Sequence, residues 1–177
     1  MKIISFLLLQ LYCLGAFAQK GVNQLGVGGK FVQPLFSRFA TTHYKYFGAG
    51  LQAGFGVTKL GSIETNISYL FFNAANNSQN GKSNVLLLQG GYRSHFLNSG
   101  FFVEADGGLF FGGGGNGFKY IIGTVGGGYS FKVKTVSFID LSFFGNIYSG
   151  IGKYSLSNGI WLNGNVMYRF ILKKKSN

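Results

Sequence analysis

The chain is short of most things a soluble enzyme uses. Its 177 residues include one cysteine, one proline, one tryptophan and four acidic residues. Cys13 lies in the N-terminal apolar stretch, so nothing from Gln19 onward can form a disulfide, a reactive thiolate or a cysteine-ligated metal site. Charged residues amount to 11%, well under the usual quarter. Long apolar runs are also missing. After residue 18 none approaches the ~20 residues that a membrane-spanning helix needs. What is abundant is glycine (30), phenylalanine (20) and tyrosine (10). Such a chain is too apolar for an ordinary soluble surface and too interrupted for membrane helices. Strands with one face toward lipid reconcile the two.

The N-terminus has a separate role. Lys2 precedes the uncharged, mostly apolar run from Ile3 to Ala18, which closes on Ala16-Phe17-Ala18. A charged start, a short apolar core and a small-x-small end predict a signal peptide over residues 1–18 and a single domain over 19–177. Tyr12 stands where a lipoprotein signal needs a small residue before Cys13, which speaks against a lipid anchor. The net charge of +12 is spread over scattered lysines, apart from Lys173-Lys174-Lys175. A nucleic-acid partner would call for cations gathered on one face, so none is expected.

Period-two alternation bounded by turn residues predicts eight strands. They run over Val22–Val32, Tyr44–Val57, Ile63–Phe72, Asn84–Phe96, Phe101–Phe111, Lys119–Phe131, Thr135–Tyr148 and Gly159–Leu172. The second is the clearest, with Phe47, Ala49, Leu51, Ala53, Phe55 and Val57 alternating with glycines and Gln52. In the seventh, Phe138 and Phe144 fall on the face opposite Ile139, Leu141, Phe143 and Ile147. Connections after strands two, four and six are short (Thr58–Gly61, Leu97–Gly100, Lys132–Lys134). Those after one, three, five and seven are longer (Gln33–His43, Asn73–Ser83, Gly112–Phe118, Ser149–Asn158). Alternating short and long connections fit an all-β, eight-stranded antiparallel up-and-down transmembrane barrel. Its short turns and both termini would be periplasmic.

The charges provide an independent check on the faces. Glu64, Glu104, Asp106, Asp140, Arg93 and Arg169 all fall opposite the apolar face, as does Lys30. Six such agreements would arise by chance roughly one time in sixty, since a strand has only two faces. Aromatic residues gather near strand ends: Tyr69, Phe71, Tyr120, Tyr148 and Trp161 toward one side, Phe96, Phe101, Tyr129, Phe131, Tyr168 and Phe170 toward the other. This predicts interfacial belts.

With this strand plan, loop alternation and final strand, the chain resembles the small OmpA/OmpX-type outer-membrane barrels over nearly all of residues 19–177. Asn163, Asn165, Tyr168 and Phe170 are similar to the C-terminal signal that the barrel-assembly machinery reads. Asn165 stands where glycine is usual, and seven residues follow Phe170. The resemblance implies outer-membrane localisation and assembly by that machinery. The five-residue tail after Leu172 is too short for a peptidoglycan-binding domain.

An eight-stranded barrel is just wide enough for side chains to fill it. An ionic cluster of Glu64, Arg93, Glu104, Asp106, Asp140 and Arg169 is therefore expected in the lumen, aided by Lys132 or His95 and closing it as a plug. Desolvated charges require such pairing. The rival readings are a narrow, porin-like pore for ions or small solutes, an enzyme modifying lipid A, and a soluble barrel with a ligand cavity. The enzyme reading lacks a partner: His43 is the histidine on the outer side, and no acid lies in the four long loops to orient it. Gly112–Gly117 (GGGGNG) formally fits G-x-G-x-x-G, but it links two strands and reads as a loop. No cofactor or metal is expected. Arg38, Lys45, Lys82, Lys119 and Lys153, with no acid among them, are candidate contacts for lipopolysaccharide at the outer leaflet. The protein predicted here is extracted from membranes only by detergent, and its unheated gel migration shifts on boiling. Release without detergent together with unshifted migration would refute the barrel.

Overall fold

The alternation is realised as eight long strands. In the computed structural model, which describes residues 23–36, 43–58, 60–74, 83–96, 99–113, 119–151 and 158–172, these are β1 (Asn23–Phe36), β2 (His43–Gly56), β3 (Gly61–Ala74), β4 (Ser83–His95), β5 (Phe101–Gly113), β6 (Lys119–Lys134), β7 (Ser137–Gly150) and β8 (Asn158–Leu172). Each pairs antiparallel with the next, and β1 also pairs with β8, so the sheet closes into a barrel. Closure leaves no unpaired edge strand, which is what a sheet surrounded by hydrocarbon requires. The predicted signal peptide and the C-terminal lysine tail lie outside the described residues.

Strand ends fall within two residues of expectation except at two places. β1, the weakest of the eight by alternation, extends past Val32 to Phe36 and includes Pro34. Proline has no N–H to give the ladder, and the β1–β8 register shifts between Pro34 and Phe36, an irregularity that accommodates it. β6 continues through Lys132–Lys134, the expected turn, and the chain reverses at Thr135 and Val136 instead. A two-residue reversal suffices between antiparallel strands, and a shift between Lys132 and Lys134 absorbs the extra residue.

Facing follows parity. Phe47, Leu51, Val125, Phe143 and Ile147 are exposed on the outer wall, while Gln52, Asn66, Thr124 and Ser142 are buried inside. The inner face divides along the barrel axis. Toward the short turns it is polar and charged. Toward the long loops it is apolar, with Leu70, Val85 and Ile122 almost fully buried beside a cluster of rings. Phe110 stacks on Tyr120 (centroids 4.4 Å apart, 9° between planes), and Tyr148 meets Phe110 edge-on at 5.4 Å. Trp161 lies 5.3 Å from Phe110 and 5.2 Å from Tyr148. Each such pair contributes about 0.5–1.5 kcal/mol beyond its buried area.

This corrects the outer aromatic belt. Tyr69 and Phe71 do face outward, but Tyr120, Tyr148 and Trp161 are 4%, 2% and 2% exposed within the lumen. Tyr148 is eight residues after Asp140 and Trp161 eight before Arg169. An even spacing places each on the face of its charged strand-mate.

Glycine lets the wall close tightly. A Cβ on Gly126 would strike the Phe143 carbonyl oxygen and stand 2.7 Å from the Phe144 Cα, whereas one on outward Gly123 would meet nothing within 4 Å. Gly126→Val is expected to destabilise the barrel by about 1–3 kcal/mol or block its folding, because a packed interior resists added volume. Gly123→Ala should change stability by less than about 0.5 kcal/mol. Urea unfolding in phospholipid vesicles measures both, and equal effects would contradict this packing.

Candidate functional site

All four acidic side chains of the protein are buried inside the barrel, together with Lys30, Arg93 and Arg169. Glycines make room for the carboxylates. Glu64 is paired in register with Gly54 on one side and Gly91 on the other. A Cβ at Gly54 would lie 2.5 Å from Glu64 Oε2, and one at Gly91 would overlap Asp106 Oδ1. Glu104 likewise stands opposite Gly126.

Arg93 joins the two sides of the lumen. From β4 it pairs with its cross-strand neighbour Glu104 on β5, with Nη2 and Nε 2.6 and 2.7 Å from Oε2. It also reaches β7, where Nη1 donates to Asp140 Oδ2 at 2.7 Å. Glu64 Oε1 lies 4.0 Å from its Nε and accepts from Ser62 Oγ. The guanidinium sits 4.1 Å above the Phe102 ring, a cation–π contact in a desolvated setting. Arg169 on β8 holds Asp140 from the other side: Nη2 donates to Oδ1 at 3.2 Å and Nε approaches Oδ2 at 3.0 Å. Its Nη1 also donates to Gln24 and its Nη2 to Ser130. Five of the six expected cluster residues are thus brought together from β3, β4, β5, β7 and β8.

Asp106 makes no ion pair, and its Oδ1 has no hydrogen-bond partner among the described residues. It faces a small central cavity with Lys30, Gln52 and Gln89. Neither expected helper joins the ion pairs. Lys132 is exposed at the rim, and His95 packs against Phe102 with ring centroids 5.8 Å apart. Lys30 is the third cation in the lumen, and its ammonium donates to Gln89 at 3.4 Å.

An amide belt not anticipated from the sequence begins at Lys30. Gln89 donates to Thr124 at 2.6 Å, Thr124 to Asn146 at 2.7 Å, Asn146 to Asn163, and Asn163 to Asn165 at 3.3 Å. Asn165 is the register partner of Lys30, so the belt returns to the strand where it began. Parity marks these residues as lumenal, but amides carry no charge to single them out. Among the described residues, a cavity of about 20 Å³ lies between the ionic and amide layers, enough for roughly one water.

Of the proposed outer contacts, Lys119 is exposed at the start of β6. Lys45 lies in β2, with its side chain outside the description, and Arg38, Lys82 and Lys153 lie outside the described residues. His43 opens β2 at the long-loop end and His95 closes β4 at the short-turn end, so the two histidines sit at opposite ends of the barrel.

No protein-family profile and no curated protein sequence matches the chain. Solved structures do. The chain is similar to Ail, the attachment invasion locus protein of Yersinia pestis (TM-score 0.57, 13% identity, 85% of this chain and 99% of that one). It is similar to the N-terminal β-barrel domain of Pseudomonas aeruginosa OprF (0.53, 15%, 85% and 100%) and to Neisserial surface protein A (0.50, 14%, 87% and 96%). The fold is that of the small OmpA/OmpX-type outer-membrane barrels.

Arg93→Ala would strand two buried carboxylates and is expected to cost about 3–5 kcal/mol, whereas Lys119→Ala should cost less than about 0.5 kcal/mol. Denaturant titration of vesicle-inserted protein reads the difference. An Arg93→Ala barrel as stable as the parent would remove the ionic cluster from any structural role.

Proposed function

We propose that the chain is a non-enzymatic integral outer-membrane protein whose lumen is plugged, serving the envelope as a structural element or as a scaffold that presents its loops. One observation carries the plug: the Arg93 guanidinium spans the lumen from Glu104 on β5 to Asp140 on β7 at 2.6–2.7 Å. A solute moving along the axis would have to break two desolvated charge pairs and then part the Phe110–Tyr120–Tyr148–Trp161 packing beyond them. In this reading the short turns and both termini face the periplasm, the long loops face outward, and β8 presents the segment that the assembly machinery reads.

For the outer rim we infer lipopolysaccharide as the partner of Arg38, Lys45, Lys82, Lys119 and Lys153. The long loops contain no acid to oppose its anionic groups, and each lysine or arginine near such a surface contributes about 1 kcal/mol. The lipid A-modifying alternative finds less support, since every carboxylate that might orient a histidine is buried in the lumen.

In planar bilayers, purified protein is expected to give no reproducible unitary conductance. Regular current steps, sensitive to Arg93→Ala, would replace the plug with the narrow-pore reading.

A further inference from the structure

The lumenal face of β2 is almost bare. Its alternate residues there are Gly48, Gly50, Gln52, Gly54 and Gly56, so Gln52 is the one side chain that this stretch sends inward. Gln52 stands in register between Gly26 on β1 and Asn66 on β3. It is 4% exposed, yet its Oε1 accepts no hydrogen bond among the described residues. The ion pairs draw on β3, β4, β5, β7 and β8. The amide belt draws on β1, β4, β6, β7 and β8. Among the described residues, β2 is the strand that belongs to neither.

On β5, Asp106 repeats the situation. Its Oδ1 is a second buried acceptor without a donor, and the side chain makes no ion pair among the described residues. Its register partner on β4 is Gly91, so that position adds no side chain to meet it. Lys30 on β1, four strands away from β5 around the eight, is the lumenal cation without a carboxylate. An ammonium carries three N–H donors, and the hydrogen bond described for this one goes to Gln89.

Gln52, Asp106 and Lys30 line one cavity of about 20 Å³. A site of that size holds a single water-sized particle, and a buried water makes about three hydrogen bonds. The chemistry of the three groups selects the occupant. Two acceptors call for a particle with two donors, and the ammonium calls for one with an acceptor. A metal cation would satisfy the oxygens but stand against Lys30, in an interior where like charges repel strongly. An anion would be opposed by both oxygens.

We propose that this cavity is a binding site for one structural water, which accepts from Lys30 Nζ and donates to Asp106 Oδ1 and Gln52 Oε1. Lys30 and Asp106 then form a solvent-separated ion pair across the barrel. Gln52 brings β2 into the polar network, so that all eight strands contribute to it. A bridging water of this kind is nearly as favourable as a direct hydrogen bond. The site lies inside the lumen, so it stands whichever way the barrel faces and whatever its loops bind.

The test is a rotating-frame Overhauser experiment on isotope-labelled, folded protein in deuterated detergent micelles. The side-chain amide protons of Gln52 and Gln89 should show a cross-peak to water whose sign is dipolar, which separates a bound water from proton exchange. Gln52→Met keeps the side-chain length and removes one acceptor, and it should abolish the cross-peak at Gln89. In urea unfolding, Lys30→Met should lower the midpoint, and adding Asp106→Asn should recover most of the loss, because the carboxylate left without its cation is then gone. The measurement on the parent protein decides the matter if a variant fails to show the heat-dependent gel shift of a folded barrel. Absence of the dipolar cross-peak in the parent overturns the proposal, as does an undiminished one in Gln52→Met or a strictly additive loss in the double variant. So does a midpoint that rises when sodium chloride replaces choline chloride at equal ionic strength and loses that rise in Asp106→Asn, which would give the cavity to a metal cation.

Discussion

Everything in this molecule depends on closing a sheet whose backbone polar groups have no water to turn to. A strand edge left open in hydrocarbon would forfeit several kcal/mol for each unpaired group. β1 therefore meets β8 along most of its length, and even the strand containing the only proline is held by two neighbours. Eight strands close at a radius that lets side chains from opposite walls touch. Once they touch, lumenal charges must find partners within the lumen. The Arg93 bridge from β4 to β5 and β7 follows from the strand number as much as from the arginine itself.

Parity explains what could be read in the sequence and what could not. Each acid and arginine declares its face, because a charge toward lipid costs kilocalories, and Glu64, Glu104, Asp140, Arg93 and Arg169 lie in one lumenal layer. Apolar residues carry no such declaration. Tyr148 and Trp161 read equally well as an interfacial belt or as a lumenal cluster until their even spacing from charged strand-mates is considered. Which charges meet was less legible still. Asp106 shares a face with Glu104 yet makes no ion pair among the described residues, because its distance to the others depends on the stagger between strands. Lys30, rather than Lys132 or His95, is the third lumenal cation. Its strand had the weakest alternation, and it crosses the lumen to Gln89 on β4, beyond the reach of any nearest-strand rule.

Glycine and charge are distributed together. Glu64 lies between Gly54 and Gly91, Asp106 beside Gly91, and Glu104 beside Gly126. Missing side chains inside the barrel are thus space reserved for long ones from the adjacent strand, which is how a narrow cylinder can be both closed and heavily charged. On the outside, the Phe143 ring lies over Gly164, with its nearest atom 3.7 Å from where a Cβ would stand. Confining the four carboxylates to the interior also separates the signs of charge, with the anions inside and only cations outside.

The ring cluster beneath the long loops contains the chain's single tryptophan, packed against Phe110 and Tyr148 and 2% exposed. In most membrane barrels an indole stands at the bilayer interface, and its fluorescence reports contact with lipid. Here the one indole is enclosed by protein, screened from the acyl chains by the wall itself. Its emission is accordingly a gauge of lumen packing, one that registers the last stage of folding and is blind to membrane insertion.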